Sequence, residues 1–326
     1  MKEVLVDRKD SFLKNNFFMQ GFYFDTVVEI SIYCNCNNGE YILRKAFDLC
    51  KYYEVLLSKT KKGSDIYNVN NSGMDGFNVH NETLNIINRS IYYSKLSQGN
   101  FDISVQPLLK LWNFKSEKKI IPNQKDIDEN LKLVNYKNIV INRKNVRLKK
   151  NGMSIDLGGI AKGYIANKLK EYLISEGISS GIINLGGNVL CIGKKDNGEN
   201  FKIGIQKPFS ERGEVLGVLE ICDKSVVSSG IYERFFEKEN KVYHHIINPK
   251  SGKPFETDLL QVTIISDDSM DGDALSTIAL SFGEREGLDL INSIDGVEGI
   301  FINKDGNIRF TENFHQYCKW INSKIY

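Results

Sequence analysis

Apolar residues along this chain recur in two different periods, and the switches between them mark out its elements. Residues 26–33 (Thr-Val-Val-Glu-Ile-Ser-Ile-Tyr) are β-branched and partly alternating, which predicts a strand. Residues 40–58 carry Ile42, Ala46, Leu49, Tyr53 and Leu56 at helical spacing, followed by a polar loop with Lys61-Lys62-Gly63. A second helical pattern covers 81–97, with Leu84, Ile87 and Ile91 on one face. Residues 115–130 are lysine-rich and polar and read as a surface excursion. Ile139-Val140-Ile141 and Val146-Arg147-Leu148 flank a polar turn and read as a hairpin. Ile155-Asp156-Leu157 looks like the end of a strand that turns through Gly158-Gly159 into a helix. In that helix Tyr164, Ile165, Leu169, Tyr172 and Leu173 repeat until Gly177 supplies a C-cap. Strands follow at 180–184, 188–192, 201–206, 214–221, 225–228 and 261–266, then a helix over 273–283 and a strand pair at 298–303 and 308–310. The alternation is irregular and the strands cluster. The expected class is therefore α+β with mixed or antiparallel sheets, not a doubly wound parallel sheet.

Composition narrows the function classes. With 326 residues, 41% of them hydrophobic, the chain can bury one large core or two tightly joined lobes. The net charge is +2 with both signs interspersed, so no footprint for nucleic acid is visible. Six cysteines are scattered, and Cys34-Asn35-Cys36 has neither zinc-ligand spacing nor a second pair nearby. Reduced thiols are the simpler expectation, which favours a reducing compartment. The first residues are charged, without an apolar signal core, so a cytoplasmic location is expected from this chain. No run is long and apolar enough to span a membrane. No Gly-x-Gly-x-x-Gly follows a strand, which disfavours a Rossmann oxidoreductase.

Three places could carry chemistry. The turn around Asp156, Gly158 and Gly159, with Lys162 just inside the helix, suits an anionic ligand, because glycine lets a phosphate approach free amides. Asp273, Ser276 and Thr277 lie three and four apart, so their oxygens share a helix face. A carboxylate with hydroxyls suits a hard cation such as Mg²⁺, although a helix dipole also favours an aspartate near its start. Asp271 is a weaker candidate for the same role. His244 and His245 sit side by side in an extended segment, so they point to opposite faces and one of the two is expected in a site.

Six segments, taken in order, resemble the ApbE family of flavin transferases over about residues 24–283. They are Asn100-Phe101-Asp102 within 97–108, the 154–164 turn, Gly181–Asn188, Ser229-Gly230-Ile231-Tyr232 within 225–232, the 243–254 run around His245-Ile246-Ile247-Asn248-Pro249, and Asp273-Ala274-Leu275-Ser276-Thr277. The resemblance implies one ApbE-like domain of two interlocked lobes spanning the chain, with residues 1–20 as an extension. FAD would lie in the cleft between the lobes. It implies magnesium held by Asp273, Thr277 and the Gly159 carbonyl, with Ser276 beside them. His245 becomes the expected base. FAD contacts would come from Phe24, Thr26, Asn100, Phe101, Asp102, Asp156, Lys162, Ser229, Gly230, Tyr232 and Ile246. The chain departs from the family at Asn248, where an aspartate is usual. It departs again at Phe24-Asp25, which replaces Met-Gly before Thr26, and at Asn100, which replaces a small residue. The implied reaction transfers FMN from FAD to a Ser/Thr hydroxyl of an acceptor protein, releasing AMP. An FAD pyrophosphatase and a non-catalytic FAD carrier are the alternatives. Members of the family are often exported and lipid-anchored, in contrast to the location expected from composition.

Overall fold

The structure is a computed structural model, which describes residues 16–321 except 212 and 240. Residues 1–15, most of the expected N-terminal extension, lie outside the described residues, and residues 16–20 belong to a strand. The main sheet has eight strands, every neighbouring pair antiparallel. Across the sheet they run Asn16–Tyr23, Thr26–Tyr33, Gly181–Leu185, Asn188–Ile192, Ser225–Gly230, Leu259–Ser266, Glu298–Asn303 and Ile308–Phe310. Leu259–Ser266 is buried at every position, as expected for a strand covered on both faces. The helices Gly39–Leu56, Ala161–Ser175 and Ser269–Phe282 pack on this sheet and on one another, and their apolar stripes join it in one core. The α+β class with antiparallel sheets is what the structure shows.

A second, smaller core is built from Leu108, Trp112, Ile127, Phe236 and Ile247. Its aromatic spine stacks Trp112 on Tyr243 and Tyr243 on Phe236, with ring centroids 5.7 and 5.3 Å apart. Two stretches distant in sequence make this core, 105–134 and 236–247, so the chain leaves the main body twice to build it.

Four local expectations are corrected. Residues 153–157 are not a strand; the Asn70 side chain bonds both N and O of Ile155, at 2.7 and 3.0 Å, and so replaces sheet partners. The lysine-rich excursion contains a helix, Gln124–Leu131, capped by the Asn123 side chain on Asp126 N and anchored by buried Ile127. The helix expected from residue 273 begins at Ser269, because Asp268 caps it by accepting from Met270 N and Asp271 N. Cys34 and Cys36, expected as free thiols, form a disulfide, their Cα atoms 5.3 Å apart and within the reach of such a bond. No helix of the described residues is long and apolar enough to cross a membrane.

Candidate functional site

Asp273 lies in the second turn of Ser269–Phe282, and its carboxylate is buried. A buried carboxylate needs partners, and they come from the next helix. Ala161–Ser175 has no capping side chain of its own. Asp273 fills that role from outside: Oδ2 accepts from Gly163 N at 3.0 Å, and Oδ1 faces Lys162 Nζ at 3.4 Å. The approach depends on glycine, since a Cβ at Gly163 would lie 2.2 Å from the Ser269 carbonyl oxygen. One turn on, Ser276 Oγ donates to the Asp273 carbonyl at 3.0 Å and pairs with Ser229 Oγ at 2.8 Å. Thr277 Oγ1 lies 3.1 Å from the same Ser229 oxygen. Ser229 thus bridges the Ser276 and Thr277 hydroxyls from the sheet, while the Asp273 carboxylate turns to Lys162 and Gly163. Asp271 serves the fold instead. Its Oδ1 accepts from Arg89 Nη2 at 2.6 Å and from Tyr93 Oη at 2.5 Å, fastening this helix to Asn81–Leu96.

The Asp156–Gly159 turn lies at the entrance to the Ala161–Ser175 helix. Asp156 Oδ1 accepts from Gly158 N at 2.6 Å and so shapes the turn, while Oδ2 binds Lys59, whose ammonium also reaches Gln106 at 3.0 Å. Lys59 belongs to the polar loop after the first helix, and no sequence motif marks it. Phe101 is buried, its ring 3.2 Å from where a Gly159 Cβ would stand, so a side chain there would press on the ring. Asp102 spends its carboxylate inside the protein, accepting from Ser104 N, Ser104 Oγ and Tyr136 N at 2.6–2.8 Å. Burial raises its pKa, against the pull of these hydrogen bonds. Its role here is to hold the loop that presents Phe101 and Asn100. Asn100 Oδ1 accepts from Lys250 Nζ at 2.8 Å, which ties this loop to the histidine segment.

The two histidines leave the ribbon Phe235–Lys238/Lys241–His244. His244 is buried with Nε2 3.0 Å from the Phe255 carbonyl. His245 follows the strand end, with its N and Nδ1 at 3.0 and 3.3 Å from the Arg234 carbonyl. A carbonyl only accepts, so Nδ1 carries the hydrogen and Nε2 keeps its lone pair. Burial, then the positive charge of Arg234, pulls the His245 pKa down to about 3. Ile246 is buried beside it. Asn248 Oδ1 accepts from Lys250 N at 2.8 Å, a turn-forming bond that asparagine and aspartate make equally well. On the facing segment a Cβ at Gly230 would stand 2.5 Å from the Tyr232 ring, and Tyr232 donates to Gln261. Glu233 and Arg234, which carry no motif of their own, are exposed, Glu233 within electrostatic reach of Lys162 and Arg234 within reach of His245. Desolvation by the protein around it raises the Glu233 pKa, while the cations Lys162 and Arg234 oppose it. Their one signal in the sequence is that they adjoin the Ser229–Tyr232 segment.

Phe24 and Asp25 form the tip of the first hairpin, both left-handed at φ 55° and 60°. Asp25 thus holds a conformation that favours glycine, and its carboxylate pairs with Lys115 Nζ. Thr26 packs against Gly186, where a Cβ would overlap its hydroxyl.

The donor set fits a magnesium ion better than a closed metal cage. Among the described residues no three His, Cys, Asp or Glu converge on one point. One buried carboxylate with hydroxyls a turn further along the helix leaves positions for phosphate oxygens and water, a set that suits a hard cation such as Mg²⁺.

Known proteins share this architecture. The chain is 34% identical to the FAD:protein FMN transferase of Klebsiella pneumoniae over 275 residues, covering 83% of this chain and 85% of that protein. It is 30% identical to the FAD:protein FMN transferase of Treponema pallidum, covering 82% and 78%. The crystal structure of the ApbE protein of Thermotoga maritima superposes with a TM-score of 0.85 at 28% identity, over 98% of this chain and 100% of that one. The model of the ApbE family matches residues 24–301, and with these relatives it shows that the chain belongs to the ApbE family.

Proposed function

We propose that this flavin transferase moves FMN from FAD to a serine or threonine hydroxyl of an acceptor protein, with magnesium as its cofactor. The observation that supports the reading is that Lys162, 3.4 Å from the buried Asp273 carboxylate, also acts electrostatically on His245, an imidazole that bonds through Nδ1 and keeps its Nε2 lone pair. Asp273, Thr277 and the Gly159 carbonyl would hold the cation, with Ser276 and Ser229 fixing the threonine. Bound magnesium supplies a Lewis acid that neutralises the pyrophosphate. His245 Nε2 takes the proton of the acceptor hydroxyl as its oxygen attacks the FMN-side phosphorus. The bond from that phosphorus to the bridging oxygen breaks, and AMP leaves with the oxygen. The Asp156–Lys162 turn, Asn100 and Phe101, the Ser229–Tyr232 segment, Phe24, Thr26 and Ile246 line the dinucleotide's place, and Asp102 positions the loop behind it.

The test is incubation with FAD, Mg²⁺ and a protein that accepts FMN from the Klebsiella relative, read by the intact mass of the acceptor. The acceptor should gain one FMN, a chelator should abolish the gain, and Mg²⁺ should restore it. Asp273→Ala should remain folded and lose the metal-dependent activity. FMN and AMP formed beside an unmodified acceptor would instead make the chain a pyrophosphatase. Tightly held, unreacted FAD would make it a carrier.

A further inference from the structure

Lys162 does not point to open solvent. Its ammonium lies 3.4 Å from Asp273 Oδ1, and the side chain is 30% exposed at the end of a flexible stem. The other carboxylate oxygen is fixed by Gly163 N, so Oδ1 is the oxygen a cation would take. The ammonium already neutralises that oxygen, and two cations cannot share it without strong repulsion in a buried place. Asp273 is therefore satisfied without a metal, by a helix terminus and a lysine. For Oδ1 to accept a divalent ion, Lys162 has to find another anion. Lys162 stands in the first turn of its helix, immediately after the Gly158-Gly159 turn, where a dinucleotide's phosphates would approach the positive end of the helix.

We propose that Lys162 holds the divalent cation's place at Asp273 and releases it when the pyrophosphate of FAD draws the ammonium away, so that nucleotide binds first. The proposal rests on the magnesium reading above. Nucleotide and metal are then coupled through one side chain, and by linkage each strengthens the other's binding by the same factor. The arrangement keeps the cation site weak until there is a phosphate to activate.

The experiment measures Mn²⁺ affinity by electron paramagnetic resonance, with and without saturating FAD and with no acceptor present. Wild type, Lys162→Met, Lys162→Gln and Asp273→Ala are compared. Without FAD, both Lys162 variants should bind Mn²⁺ about tenfold more tightly than wild type, the effect of removing roughly 1.4 kcal/mol of competition. The factor by which FAD enhances Mn²⁺ binding should fall in the variants by a similar amount. If affinity rises but the FAD enhancement is unchanged, Lys162 only repels the metal through space, and the displacement idea is overturned. Equal Mn²⁺ affinity in wild type and both variants overturns it directly. If Asp273→Ala binds Mn²⁺ as wild type does, the metal assignment itself fails and takes the proposal with it. Using two Lys162 variants guards against a single substitution that disturbs the fold.

Discussion

Burial lowers the proton affinity of His244 and His245 alike, but their hydrogen bonds give them different work. His244 donates through Nε2 to the Phe255 carbonyl, and its Nδ1 is buried with no partner among the described residues. It pins the return segment that carries the histidine loop. A substitution that cannot replace the bond, His244→Ala, should cost about 1–3 kcal/mol in urea denaturation. His245 bonds through Nδ1 and keeps Nε2 for chemistry. His245→Asn should lower the transfer rate by roughly 10²–10⁴ while FAD affinity changes far less, because a base acts mainly in the transition state. With its pKa near 3, the imidazole is neutral across the working range. The kcat/KM for FAD should therefore show no acid limb near the ordinary histidine value of about 6.5. Wild-type turnover by His245→Asn would leave metal and positioning to carry the reaction alone. Asn248 shows how a departure from the family pattern is absorbed: its amide oxygen makes the turn bond, which needs no charge there.

At the scale of elements, the site depends on how closely two helices approach. Ala161–Ser175 and Ser269–Phe282 meet backbone to backbone at Gly163, and Asp273 caps the first from the second. Gly163→Ala should push the helices apart, costing about 1–3 kcal/mol of stability and also weakening FAD-dependent turnover. Thermal denaturation together with the flavin-transfer assay checks both. An alanine variant of wild-type stability and activity would mean that the approach is looser than the contact implies. Helix boundaries show where periodicity stops being informative. The apolar repeat locates a helix near 273–283, but its start is set by Asp268, a capping residue in a stretch rich in aspartate. The 153–157 segment has the apolar character of a strand without a strand's neighbours. Its backbone partners are the Asn70 side chain and the Ile103 carbonyl, which no local pattern announces.

For the whole molecule, the depressed pKa values of the two histidines make stability depend on pH with a definite sign. The His244 pKa is about 4 and that of His245 about 3, both below the value of roughly 6.5 in an unfolded chain. Between those limits the unfolded state binds more protons, so stability is fully present above about pH 6.5 and is lost as pH falls through this window. The His244 contribution alone should remove about 1–2 kcal/mol between pH 7 and pH 5, measured by urea denaturation. A His244→Asn chain should show a flatter pH profile. An identical slope in both would assign the loss to other groups.

The antiparallel α+β class, most strand and helix positions and the Asp273–Thr277 face were legible along the chain, because periodicity and short spacings are local properties. Alternation alone also required His244 and His245 to part company, and the family resemblance chose between them. Folding in three dimensions was needed to make Asp273 cap a neighbouring helix and face Lys162, to commit Asp271 to Arg89 and Tyr93, and to spend Asp102 on its own loop. It also brought Lys59 to Asp156, and Glu233 and Arg234 within electrostatic reach of Lys162 and His245. Those facts depend on pairs of residues many positions apart, whose meeting is fixed by packing across the sheet and not by any pattern along the chain.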